Sequence, residues 1–177
     1  MGREEQIIEN RIRKIKELKE QGINPYQNRF DVKNYSEELH EKYRKLGKDK
    51  ITNDKVKIAG RIMIKRDLGK ISFATLQDSR GKIQLISQEG KTSDKVRDLF
   101  KKYVDGGDFV GIEGKILRTS RGELSILIDK VEILSKAILP LPDKFHGIQN
   151  EDEIYRIQEV TGRKFKEMLI LFFLSNV

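Results

Sequence analysis

The chain has no cysteine among its 177 residues, which excludes disulfides and thiolate metal sites. It has two histidines, His40 and His146, so far apart in sequence that a zinc site is not expected. No run of residues approaches the roughly 20 apolar positions of a membrane span. The opening MGREEQIIEN has no apolar signal core, so the sequence reads as cytoplasmic, with no membrane partner. Hydrophobic residues make up 37% of the chain, enough for one modest core, and a single domain with appendages is expected. Charge is plentiful: 36% of residues are Asp, Glu, Lys or Arg, and the net charge is +8. Such an excess favours a polyanionic partner, although solubility alone produces the same bias.

Residues 4–21 form the clearest helix, with Ile7, Ile8, Ile12, Ile15 and Leu18 on one arc. Gly22 stops it and Asn24-Pro25 turns the chain. Arg11, Arg13, Lys14, Lys16 and Lys19 crowd the same segment. They are within reach of phosphates on a docked polyanion, or they simply solvate the helix. Pro25, Tyr26 and Phe30 are expected to anchor a loop. Ser36 opens a short second helix with Leu39, Tyr43 and Leu46 at helical spacing.

A period-2 section follows. Val56, Ile58, Ile62 and Ile64 alternate with charged or polar neighbours, and Gly60 interrupts them as it would at a bulge. Further strands are expected at 70–77 and 82–87, joined by Asp78-Ser79-Arg80-Gly81, and at 109–117 and 123–134, joined by Thr119-Ser120-Arg121-Gly122. A helix over 93–103 separates the two hairpins. Five strands with a helix between the third and fourth is the order of an OB-fold, a small Greek-key barrel. An open meander produces the same strings; the helix placement and the glycines at 111 and 114 favour the barrel. The expected class is therefore mainly β with flanking helices, a five-stranded OB-fold preceded by an N-terminal helical arm.

The first hairpin permits a finer reading. An even-length loop at 78–81 sets position 73 opposite 86 and position 75 opposite 84. One face then holds Ser72, Ala74, Leu76, Ile83 and Leu85, suited to a barrel interior. The other holds Ile71, Phe73, Thr75, Gln77, Lys82, Gln84 and Ile86, a mixed surface on which Phe73 and Gln84 are diagonal neighbours. An exposed ring stacks a base, an amide bonds a base edge, and Arg66, just before the turn, holds phosphate. The competing reading seats Phe73 in a secondary core and leaves Gln84 solvated.

Several stretches resemble the N-terminal region of class II lysyl-tRNA synthetases: QGINPY at 21–26, AGRIM at 59–63, SFATLQD at 72–78, GKIQL at 81–85, TSRGELS at 119–125 and LPLPDKFHG at 139–147. The resemblance runs from about residue 5 to Arg156. It implies an arm and connecting segment at 1–54, an OB-fold anticodon-binding domain at 55–137, and a linker and divergent tail at 138–177. It also implies that Phe73 stacks on the central base of the uridine-rich lysine tRNA anticodon and that Gln84 hydrogen-bonds it. Arg66 and Glu123 would contact the anticodon loop. Arg13, Lys14, Lys16, Lys65 and Lys82 would be available to the tRNA backbone. The family's ATP, Mg and catalytic residues belong to a domain whose motifs this sequence does not contain, so no catalytic residue, metal or cofactor is assigned. After Arg156 the resemblance ends, and residues 168–174 are seven apolar residues in a row. The tail is expected to cap the barrel, mediate self-association, or be a non-native sequence. Three functions compete: an anticodon-binding module for lysine tRNA, one fragment of a synthetase completed by a catalytic partner chain, and a general single-strand binder.

Overall fold

The computed structural model describes residues 2–27 and 29–140. The expected tail, including its self-association and its apolar run, and His146 lie outside those residues. Helix α1 (Arg3–Glu20) is followed by α2 (Ser36–Lys42), and strands β1 (Ile51–Asp67), β2 (Ile71–Gln77) and β3 (Lys82–Gln88) come next. Helix α3 (Asp94–Tyr103) then leads to β4 (Phe109–Arg118) and β5 (Leu124–Ser135). The strands close into a barrel in the order β1-β2-β3-β5-β4, so the open meander is ruled out. Closure depends on two features. Strand β1 is long enough to pair with β4 over its first part and with β2 from Arg61 onward, and β3 meets β5 in a parallel ladder, Gln84 opposite Ser125.

Strand β1 begins at Ile51, ahead of the alternation readable from Val56, because residues 51–55 are largely exposed and carry no hydrophobic period. The irregularities in β1 fall on either side of Gly60, between Ile51 and Lys55 against β4 and between Ile62 and Ile64 against β2. Gly60 serves another purpose. A Cβ there would collide with the Gln77 carbonyl and the Leu76 side chain, so the glycine lets β1 cross tightly onto β2 as it changes partners. The β4–β5 ladder shifts register between Glu113 and Gly114, whereas Gly111 makes room for the ring of Phe30.

The interior is filled by Val56, Ile58, Ile62, Leu76, Leu85, Ile112, Ile126 and Ile128, plugged at one end by Phe100 of α3 and at another point by Leu18 of α1. The arc of α1 is rotated from the one expected. Ile15 and Leu18 are buried, but Ile12 is exposed and Arg11 takes a buried place instead. The Arg11 guanidinium donates to the carbonyls of Gly106, Ala137 and Leu139 at 2.7–2.9 Å, satisfying three backbone acceptors at the seam.

The register of the β2–β3 hairpin is the even one, Phe73 opposite Ile86 and Thr75 opposite Gln84. Asp78 holds it. Its Oδ1 accepts from the backbone N–H groups of Arg80 and Gly81, both at 2.8 Å, and from the Ser36 hydroxyl at 2.7 Å. Its Oδ2 accepts from the Ser36 N–H at 2.6 Å, so one buried carboxylate ties the turn to the start of α2.

Candidate nucleic-acid interface

The outer face of the β2–β3 hairpin borders a surface pocket. Ser72, Ala74, Leu76, Ile83 and Leu85 point inward and are buried, as the alternation requires. On the other side Ile86 is buried as well, because it joins Leu117 and Leu127 in a small external cluster against which Ile71 and Phe73 pack. Phe73 therefore satisfies both readings of its pattern. Its ring is seated on this second cluster, and it remains partly exposed toward a surface pocket.

That pocket, about 600 Å³, brings together all four residues expected to meet a base or its phosphate: Arg66, Phe73, Gln84 and Glu123. Each arrives from a different element. Arg66 lies opposite Phe73 in the β1–β2 ladder, on the same face and exposed. Gln84 comes from β3. Glu123 comes from the β4–β5 turn, which Thr119 organises by donating its N–H to the Glu123 carbonyl and accepting the Glu123 N–H on its hydroxyl, at 3.0 and 3.1 Å. Gly122 takes φ +94° in that turn, a conformation suited to glycine. Arg118 pins the same turn to the end of α2 by donating to the carbonyls of Gly122 and Tyr43.

Ile64, Leu68 and Arg121 also line the pocket and were not singled out from the sequence. Ile64 and Leu68 are exposed apolar side chains, Leu68 at 65%. An apolar wall beside a seated ring, flanked by two arginines, a carboxylate and an amide, suits a flat heterocycle attached to an anion. The signal for Arg121 was its place in the turn beside Glu123.

The expected backbone-contact residues do not share one fate. Lys14 is engaged by Asp105 at 2.6 Å. Lys65 donates to the carbonyls of Lys101 and Val104 at 2.7 and 2.9 Å, with Asp67 beside it at 3.6 Å. Burial there lowers the Lys65 pKa. The fold engages both ammonium groups internally. Arg13 and Lys16 stay exposed on α1, Arg13 bonding Asn10 at 2.9 Å, and Lys82 is exposed at the start of β3. Arg13, Lys16 and Lys82 are outside the pocket lining.

The family model for the tRNA anti-codon domain, an OB-fold nucleic acid binding domain, matches residues 56–134, from within β1 to within β5. Residues 56–134 form an OB-fold similar to the tRNA anti-codon domain. The lysine–tRNA ligase of Streptococcus pyogenes serotype M5 is 45% identical over 155 residues, covering 86% of this chain and 31% of the relative. Those of Methanoculleus marisnigri and Enterococcus faecalis are 40% and 41% identical, each over 82% of this chain and 28% and 30% of their own length. The chain thus spans under a third of the lysine–tRNA ligases it resembles. The matched residues contain the barrel apart from the first five residues of β1 and the last of β5, and every residue lining the pocket described above. Among the described residues no helix is long and apolar enough to cross a membrane.

Proposed function

We propose that this chain binds the anticodon loop of a tRNA, and that the pocket of Phe73, Gln84, Arg66 and Glu123 reads a uridine-rich anticodon of the lysine-accepting kind. The observation that carries the reading is the convergence of these four side chains, from three strands and one turn, on one pocket of the OB-fold domain. The family resemblance supports tRNA as the partner, and the names of the similar ligases support lysine tRNA. Phe73 supplies the stacking surface on which a loop base rests, held in place by Ile86 and Leu127. Gln84 meets the Watson–Crick edge of that base, Arg66 the adjoining phosphate, and Glu123 a base donor. The proposal extends to binding and not to ligation.

The test is a titration of the chain with an RNA hairpin carrying a uridine-rich seven-membered loop, against the same hairpin with its loop uridines replaced by cytidines. Tighter binding of the uridine loop is expected. Equal affinity for both, with a steep dependence on salt, would overturn the anticodon reading and leave a general single-strand binder.

A further inference from the structure

The Gln84 side chain does not stand alone. Across the parallel β3–β5 ladder it faces Ser125, which is fully buried. The Ser125 hydroxyl lies 2.8 Å from Gln84 Oε1 and 3.3 Å from the Glu123 carbonyl oxygen. A hydroxyl carries one proton, so it can donate to one of these acceptors at a time. The Glu123 carbonyl already accepts the Thr119 N–H at 3.0 Å, whereas Gln84 Oε1 has no other protein donor among the described hydrogen bonds. The shorter contact and the unmet acceptor both direct the proton to Gln84.

This matters because a carboxamide has two faces that read opposite pyrimidines. With Nε2 aimed at the base carbonyl O4 and Oε1 accepting from N3–H, the amide is complementary to uracil. Rotated by half a turn, Oε1 accepts from the N4 amino group and Nε2 donates to N3, and the amide is complementary to cytosine. Stacking on Phe73 is indifferent to the choice, since every base has a π-face. Base identity therefore depends on what prevents the amide from turning over.

We propose that Ser125 is the specificity-determining positioning residue of the pocket: its buried hydroxyl locks the Gln84 amide in the orientation that accepts uracil and refuses cytosine. The donated bond occupies one of the two lone pairs on Oε1 and leaves the second for N3–H. In the reversed orientation Nε2 would sit against Oγ, and the hydroxyl would have to turn to the longer, already satisfied Glu123 carbonyl. This inference rests on the uridine reading above and adds to it a residue that contacts no RNA.

The experiment compares wild-type protein, Ser125→Ala, Ser125→Cys and Ser125→Thr, each titrated with the uridine-loop hairpin and with hairpins carrying single U-to-C changes. At the position whose change costs wild-type protein most, Ser125→Ala is expected to reduce the U-over-C ratio by about tenfold, mostly by gaining affinity for cytidine. Ser125→Thr keeps the hydroxyl and retains the ratio. Ser125→Cys, close to serine in size but a weak donor, gives an intermediate ratio that no cavity explains. Thermal melting of each variant checks that the barrel is intact. A wild-type protein without uridine preference would defeat the anticodon reading itself. A preference that survives in both Ser125→Ala and Ser125→Cys would leave that reading standing and overturn the role given to Ser125.

Discussion

Two regions of this molecule are built from the same kinds of residue and use them in opposite ways. At the seam where α1 meets the barrel, Lys136 is fully buried and bonds Asp108 at 2.6 Å and Asp105 at 2.7 Å, while Lys14 closes on Asp105 and Arg11 on three carbonyls. In the pocket, Arg66, Arg121 and Glu123 are exposed, and Gln84 keeps its two amide N–H groups unspent among the described hydrogen bonds. The seam's charges are consumed by the protein and the pocket's are left over. Net charge therefore says little about where a polyanion docks; unspent hydrogen-bonding capacity beside an aromatic seat says more.

The sharpest way to break this contrast is to unbalance the seam. Lys136→Met leaves buried Asp108 and half-buried Asp105 without their shared cation, and a loss of about 3–5 kcal/mol of folding stability is expected. Measured by chemical denaturation, that loss should leave the RNA affinity of the folded protein unchanged. A variant of wild-type stability would mean that the seam's charges are as dispensable as surface ones.

Phe73→Ala is the converse. Removing the stacking ring should weaken binding of the uridine-rich hairpin by about 1–3 kcal/mol, read by fluorescence titration. Its stability cost should stay well below that of Lys136→Met, since the ring is only partly buried. If denaturation reports the larger change and affinity the smaller, the ring belongs to the core and not to an interface.

The smallest effect expected is a titration. Burial alone would raise the Asp105 pKa, but Lys136 and Lys14 outweigh it and hold the carboxyl below the ordinary aspartate value of 3.8. A group whose folded pKa is depressed contributes stability above its unfolded pKa and loses it as pH falls through the folded value. Stability should therefore fall with pH below about 3.8, and Asp105→Asn should flatten that part of the curve. An identical acid limb in both proteins would detach the seam from acid sensitivity.

Much of the pocket was legible in the sequence because it depends on alternation. Once the loop at 78–81 is even, Phe73 and Gln84 fall on the same side as a matter of geometry, and the barrel order follows from strand count and helix position. The seam was not legible for a matching reason. Nothing in the spacing of Arg11, Lys14 or Lys65 records that Gly106, Asp105 and Lys101 fold against them, since these partners lie 95, 91 and 36 positions away. A helical wheel placed Ile12 inside, whereas the three carbonyl acceptors at the seam drew Arg11 inward instead. Ser125 escaped for the same reason as the seam: parallel ladders join distant strands and leave no local period.

Asp78 has a bearing on how such a domain can change over time. Its carboxylate accepts four hydrogen bonds from the turn and from Ser36, and so it counts the residues between β2 and β3. One residue more in that turn would slip β3 against β2, whose facing the β1 ladder fixes, sending Gln84 into the barrel and Leu85 out to solvent. Substitutions in the pocket would retune the proposed recognition by degrees. An insertion at the turn, outside the pocket lining, would erase it in one step.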